Sequence, residues 1–276
     1  MFNSNQASSL SPLAAIRSIA QYRNLIFEMI KREVVGRYRG SVMGLLWSFF
    51  TPVLMLVVYT FVFSVVFRAR WAGGTGSKTE FAVVLFVGMM IFGLFSECIN
   101  RAPSLVLSNA NYVKKVIFPL EILPVVSLGA ALFHFAISVL VWLLFYLVLF
   151  GVPSPSALWL PVVIAPMLVM CLGLSWFLAS LGVYLRDVGQ VIVVVTTALM
   201  FTSPVFFPVA AMPETFRPYL HWNPLTYFIE QSRELLIFHG DMHWFTWAKM
   251  LCLSLVIASL GFAWFQKTKR GFADVI

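Results

Sequence analysis

The sequence predicts an all-α polytopic membrane protein. It has six transmembrane helices, an N-terminal amphipathic interface helix and external re-entrant helices before the last span. Three observations carry this reading. Hydrophobic residues make up 61% of the chain and charged residues 11%, far from the roughly one half and one quarter of globular domains. Long uncharged runs recur, the first extending from Gly40 to Phe67, beyond the roughly 20 residues a helix needs to cross a bilayer core. Basic residues flank these runs, as Lys31, Arg32, Arg37 and Arg39 do before the first, the pattern that holds helix ends on the cytoplasmic face.

Each element has its own signal. Residues 1–40 read as a cytoplasmic interface region without a signal peptide, because the first 24 residues hold no apolar h-region. Ser11-Pro12 is a helix start, a cap followed by proline at the first helical position. Leu13, Ile16 and Ala20 then share one face beside Arg17 and Gln21, as in a helix lying in the membrane interface. A second helical pattern runs from Leu25 to Val35, and Gly36 and Gly40 suggest a bend around Arg37-Tyr38-Arg39. The spans follow at about 41–67, 81–99, 122–150, 158–185, 188–207 and 244–266, making 41–266 one six-span domain with 267–276 as a cytoplasmic tail.

Two connections exceed simple turns. Arg101–Glu121 has room for a short helix between Pro103 and Pro119. Pro208–His243 carries two helix starts, Met212-Pro213-Glu214 and Asn223-Pro224. The second helix, ending near Gly240, places Leu225, Phe228, Ile229, Leu235 and Leu236 on one apolar face. Such a pair can dip into the membrane and return if protein or water covers its backbone. With both termini on one side, that side holds 13 of the 19 Lys and Arg residues and the other six, so the positive-inside rule places both termini in the cytoplasm.

The chemistry is sparse. The net charge of +8 flanks apolar runs, which argues against a nucleic-acid partner. Cys98, Cys171 and Cys252 lie far apart with no CxxC, offering neither a metal site nor a disulfide framework. The loop Ala72–Thr79 only superficially resembles a P-loop, since Ala72 and Ser77 stand where glycine is required. His239, Asp241 and His243 could hold a metal, but Gly240 breaks the alignment, so no metal site is expected. Glu97 and His134 are the ionisable groups in the spans, too few for a proton-driven carrier, and His134 reads as a packing histidine. No nucleophile–base constellation appears, so there are no catalytic residues and the chain is not expected to be an enzyme. Its 27 Phe, 9 Trp and 8 Tyr read mainly as lipid-facing and interfacial rings. A subset could form sequence-tolerant stacking surfaces for a sliding polymer.

The stretch KREVVGRYRGSVMGLLWSFFTPVLMLVVYTFVFSVVF, followed by ARW and SKTEF, resembles the membrane (permease) subunit of bacterial O-antigen polysaccharide ABC exporters. ECINRAPSLVLSNANYVKKVIFPLEILP and NPLTYFIEQSRELLI resemble the same family's cytoplasmic and late external segments. The likeness covers about Ile26 to the C-terminus.

The resemblance implies a channel-forming subunit in the bacterial inner membrane, paired with a second copy and with two copies of an ATP-binding subunit. ATP and Mg would then act in that partner, and this chain needs no cofactor. The cargo would be an undecaprenyl-pyrophosphate-linked polysaccharide moved from cytoplasm to periplasm. The family's coupling helix maps to Ser108–Val116, which assigns coupling to Asn109, Asn111, Tyr112, Lys114 and Lys115. First and fifth spans line the family's channel, and Trp47, Phe50 and Tyr59 with Phe201 opposite are the candidate lining or gating rings. Arg37 and Arg39 lie where a pyrophosphate would load. Alternatives are a teichoic-acid or capsule-type exporter, a carrier or scaffold without an ATPase partner, and a membrane glycosyltransferase. For the last, Glu97 and Asp187 are too few and too separate.

Overall fold

The computed structural model describes residues 12–62, 78–113 and 118–276, and every regular element among them is helical. Four helical stretches are long and apolar enough to cross a membrane: Thr79–Ser104, Leu120–Phe150, Pro155–Tyr184 and Trp244–Val275. Two shorter apolar helices, Leu46–Val62 and Val188–Thr202, occupy the places of the first and fifth expected spans.

Helix α1 (Pro12–Gln21) starts at the expected proline, while the capping Ser11 lies outside the described residues. Its inward residues are Ala15, buried beside Trp176, Phe262 and Phe265, and Ile19. Ile16 and Ala20, expected to share the apolar face with Leu13, are exposed. Helix α2 (Arg23–Arg37) follows after a break at Tyr22 and runs longer than the expected 25–35. Ile26 and Met29 bury against Ile122, Leu123 and Val126 at the start of α6 (Leu123–Phe150). Gly129 admits Ile30 so closely that a Cβ there would collide with its Cδ1.

The bend expected between Gly36 and Gly40 falls later. Gly36 stays helical, and the chain turns through Gly40 (φ 86°) and Gly44 (φ 50°), backbone conformations that glycine adopts without strain. Helix α3 (Leu46–Tyr59) therefore begins five residues after the expected position 41. It continues as a π-turn through Val62, and 63–67 lie outside the described residues. Pro52 sits inside α3 and cannot donate to the Ser48 carbonyl. Only Ser48 and Leu56 of α3 are buried, so this helix lies on the edge of the bundle.

Helix α4 (Lys78–Arg101) is the hub, buried along most of its length against α6 and against three helices described next. Beyond it, a 3₁₀ turn at Ala102–Ser104 presses on α7 (Leu160–Tyr184), where Gly182 meets the Pro103 carbonyl. A second turn at Leu107–Asn109 leads into the four-residue α5 (Ala110–Val113). Helix α8 (Val188–Thr202) ends five residues before the expected 207. Ser203 precedes Pro204, and a residue before proline is driven out of helical geometry; its ψ of 155° shows that.

The next short helix, α9 (Arg217–Trp222), starts at Arg217-Pro218 rather than at Met212-Pro213-Glu214. Arg217 donates to the Met212 and Ala210 carbonyls, which holds the preceding segment as a loop. Helix α10 (Pro224–Leu236) starts where the sequence predicts and ends four residues before the expected Gly240. Asn223 Oδ1 accepts from the Leu225 amide at 3.0 Å, and Leu225, Phe228, Ile229, Leu235 and Leu236 are all buried. Helix α11 (Trp244–Thr268) closes the bundle, and α12 (Phe272–Val275) folds back so that Phe272 is fully buried.

Polar contacts sort the connections into two ends. At one, Glu121 accepts from Ser18 at 3.3 Å and pairs with Lys269 at 3.4 Å, and the Tyr184 hydroxyl donates to the Thr268 carbonyl. At the other, Ser156 donates to the Leu235 carbonyl at 2.7 Å and Trp247 to the Val162 carbonyl at 2.8 Å.

Helices α7 and α11 cross with backbones in contact, because Gly173 faces Ala258 and Gly261 faces the Gly173 carbonyl. Small residues at such a crossing let van der Waals packing hold helices together where lipid offers no hydrophobic drive. A Cβ at Gly173 would stand 2.5 Å from the Ala258 Cα. Gly173→Val should therefore cost about 1–3 kcal/mol and lower the thermal midpoint of the purified protein in detergent. Gly189→Ala, with open space around it, should leave that midpoint unchanged.

Candidate functional site

The polar residues that the sequence scatters meet at the end of α2. Burial of Ile26 and Met29 and the Ile30–Gly129 contact fix α2 along α6, so its last residue reaches α6 one turn further on. There Arg37 Nη2 lies 2.5 Å from Glu97 Oε1 of α4, and Arg37 Nη1 lies 3.0 Å from His134 Nδ1 of α6. The same Nδ1 is 3.0 and 3.2 Å from the two Glu97 oxygens. On the far side of the ring, Nε2 is 3.2 Å from the Tyr38 hydroxyl. Partial burial pushes the Tyr38 phenol above its ordinary value, so it remains a hydroxyl able to donate or accept. His134, read from sequence as isolated, is the centre of a four-residue cluster.

The cluster forms the polar wall of a cavity of about 330 Å³. Ser48 and Thr51 of α3 add hydroxyls, and Met55, Phe86, Met90 and Phe135 make the apolar wall. Arg37 thus faces a chamber that is charged on one side and apolar on the other. Arg39, paired with Arg37 in the sequence reading, is exposed and is not part of that wall.

About one turn before Arg37, α2 meets the α4–α6 connection. Arg32 Nη2 donates to the Tyr112 hydroxyl at 2.7 Å, and Glu33 forms an ion pair with Arg101. Tyr112 stacks on Phe118 with centroids 4.3 Å apart. Asn109 turns back on the Leu105 carbonyl, and Asn111 lies in α5. Lys114 and Lys115 lie outside the described residues. The expected helix at 108–116 is, in its described part, a 3₁₀ turn followed by one α-turn.

The aromatic candidates divide. Trp47, Phe50 and Phe61 are exposed on α3 together with Leu54, while Phe49 turns inward. Tyr59 is half-buried against Phe206 at 6.3 Å, and Phe206 stacks on the exposed Phe201 at 5.6 Å. The structure therefore joins Tyr59 and Phe201 through Phe206, a ring not counted among the candidates, and sets Trp47 and Phe50 apart from that stack.

One further residue organises the opposite end. Arg233 of α10 is fully buried; it donates to the Val84, Pro204 and Val205 carbonyls and pairs with Glu230 at 2.9 Å. Gly88 of α4 supplies the space, since a Cβ there would strike the guanidinium. By the sequence alone, Arg233 is one of the six Lys and Arg residues on the side opposite the termini. The available signal was its neighbourhood: an arginine in an apolar helix that follows an irregular, proline-containing segment.

Comparison with known proteins adds a frame. A family model described as ABC-2 type transporter matches residues 24–237. The chain is 29% identical over 199 residues to the O-antigen export system permease protein RfbA of Myxococcus xanthus, covering 72% of this chain and 74% of that one. A Klebsiella pneumoniae protein of the same name is 24% identical over 254 residues, covering 92% and 95%. The polysialic acid transport protein KpsM of Escherichia coli is 23% identical over 209 residues, covering 75% and 78%.

Removing the Arg233 guanidinium would leave three buried carbonyls without this donor. Arg233→Met should destabilise the protein by about 3–5 kcal/mol, seen as a lowered thermal midpoint in detergent. Arg233→Lys should recover only part of the loss, because a single ammonium cannot follow the planar fork.

Proposed function

We propose, from the premise that the chain belongs to the ABC-2 type transporter family, that it is the permease subunit of an ATP-driven exporter of lipid-linked polysaccharide. The cargo class we assign is an undecaprenyl-pyrophosphate-linked O-antigen, moved from cytoplasm to periplasm across the inner membrane. The observation that carries this reading is the likeness to O-antigen export permeases along nearly the whole chain.

In this reading the first and fifth spans are Leu46–Val62 and Val188–Thr202, completing six, and both termini are cytoplasmic. The end of the bundle that holds Glu121 and Lys269 is then the cytoplasmic end. Two copies of the chain form the passage, and two copies of an ATP-binding subunit dock on Asn109–Lys115. ATP and Mg belong to that partner. Force passes from Tyr112 through Arg32 into the last turns of α2, which end at Arg37, where the lipid pyrophosphate loads; Arg39 on the turn beyond adds an approach charge. A carboxylate-like fork of phosphate oxygens suits the arginine geometry. The likeness to a polysialic acid transport protein favours a capsule-type cargo as the second reading, with the same machinery.

Complementation separates the two. Expressed with its ATP-binding partner, the chain should restore O-antigen to a strain lacking its own O-antigen permease and should not restore capsule to a capsule-permease deletion. The reverse result would select the second reading, and rescue of neither would remove both. In the rescued strain, replacing Tyr112 and Lys115 together by alanine should cut export about tenfold while the complex still hydrolyses ATP. Normal export by that double variant would refute the coupling role.

The passage itself is assigned to Trp47, Phe50, Tyr59 and Phe201. Cysteines placed singly at 47, 50, 59 and 201 should react with water-soluble thiol reagents during export, and one at the inward-facing 49 should not. Equal protection at all five positions would remove these rings from the passage.

A further inference from the structure

The Arg37–His134–Glu97–Tyr38 cluster contains an arrangement that a simple structural ion pair does not need. His134 Nδ1 stands 3.0 Å from an Arg37 N–H donor and 3.0 Å from a Glu97 oxygen acceptor. One ring nitrogen cannot accept from the first and donate to the second at the same time. With a single proton on the ring there are two ways to satisfy the cluster. In the first, Nδ1 accepts from Arg37 and Nε2–H donates to the Tyr38 oxygen. In the second, Nδ1–H donates to Glu97 and Nε2 accepts from the Tyr38 hydroxyl. Both keep every ring nitrogen paired, and the tyrosine hydroxyl serves either by rotating.

The two arrangements differ in what they ask of Arg37. In the first, Arg37 is held by both Glu97 and His134. In the second, Glu97 keeps a donor of its own, so Arg37 can leave without stranding a carboxylate whose side chain is only 21% exposed. Loss of a partner normally makes a half-buried charge costly; His134 removes that obstacle. The cavity beside the cluster supplies a reason for Arg37 to leave. Its wall of Met55, Phe86, Met90 and Phe135 can take an apolar chain, and Ser48 and Thr51 line the same cavity as Arg37.

We propose that Glu97 occupies the place of a phosphate-bearing lipid headgroup on Arg37, and that His134 lets the carboxylate be displaced when such a headgroup arrives. This rests on the loading role given above to Arg37 and adds its regulation. Arg37 now spends its two Nη groups on Glu97 Oε1 and His134 Nδ1, and two phosphate oxygens can replace both acceptors on the guanidinium fork, so the exchange conserves the arginine's hydrogen bonds. One proton leaves Nε2 to water at the solvent-reached side of the cluster and one is taken up at Nδ1, with no net change of charge on the ring. The bond between α2 and α4 is then broken at Arg37, while the Glu33–Arg101 and Arg32–Tyr112 links further along α2 remain. Tyr38 stays on His134, and the turn beyond it, hinged on Gly40 and Gly44, is released from the Arg37 tether and can move α3.

The test uses the full chain in lipid nanodiscs and two probes, a polyprenyl pyrophosphate carrying no glycan and inorganic pyrophosphate alone. Glu97→Gln removes the competing charge and should bind the lipid probe about tenfold more tightly than wild type, with fast amide exchange across 38–45 before any probe is added. In wild type that exchange should quicken only with the lipid probe. Arg37→Gln should abolish binding. Inorganic pyrophosphate should compete weakly, and equal competition would overturn the lipid assignment. If Glu97→Gln fails to fold, Glu97→Asp, which shortens the reach and keeps the charge, should bind about threefold more tightly. Loss of binding in Arg37→Gln with unchanged affinity in both Glu97 variants would overturn the displacement and leave the loading role standing. Unchanged binding in Arg37→Gln would overturn the loading role itself. Histidine 15N spectra give an independent reading, because the His134 protonated nitrogen should change from Nε2 to Nδ1 with the lipid probe. A fixed tautomer would overturn the part assigned to His134.

Discussion

Backbone that leaves helical geometry inside an apolar bundle must find donors for its carbonyls, since lipid offers none. Residues 203–205 pose this problem directly, because Ser203, Pro204 and Val205 are buried and non-helical. The Arg233 guanidinium answers it with hydrogen bonds to the Pro204 and Val205 carbonyls, and adds one to the Val84 carbonyl of α4. A single side chain thereby fixes α10 to the central helix and to the end of α8. Pro204 ends α8, and the guanidinium then takes up the carbonyls that this end exposes. Glycine at position 88 is the matching concession on α4, giving up a side chain so that the guanidinium can lie against the helix.

The other end of the molecule is organised by α2, a helix with a polar surface and few buried residues. Its three apolar anchors, Ile26, Met29 and Val34, hold it on the bundle, but polar links decide what it connects. Arg32 meets Tyr112, Glu33 meets Arg101, and Arg37 meets Glu97 and His134. Partly exposed ion pairs are individually weak, so these links hold α2 less firmly than its apolar anchors do.

Much of the candidate site was legible as an inventory and little of it as geometry. Tyr112 stood out through the resemblance, which maps a coupling helix onto its loop, and Arg37 through its place in the basic block before the first apolar run. The pairing of Glu97 with His134 did not, because 37 positions separate them and helix periodicity carries no information about which helix a face meets. Arg233 was misjudged for a similar reason: its partners are backbone carbonyls, which every sequence possesses and no side-chain pattern reveals. The short α8 had a signal in Ser203-Pro204 that was outweighed by the apolar run continuing through Phe207. For α1, Ala15 rather than the expected Ile16 and Ala20 faces the protein, because a small residue fits beneath Trp176 and Phe262.

What the sequence determined by itself was the solvent. Apolar runs of this length bury nothing in water, and the breaks between them fixed helix positions to within a few residues; Asn223-Pro224 fixed one start to the residue. What only the tertiary structure decided was which helices touch and where polar groups meet. In a uniformly apolar chain the hydrophobic pattern cannot point one face toward a partner, because lipid and protein interior are equally apolar. Contact is settled instead by local fit, such as Gly173 against Ala258 or Ile30 against Gly129, and by the obligation of each buried polar group to find a partner. Those are properties of surfaces brought together from distant parts of the chain, and they exist only once the chain has folded.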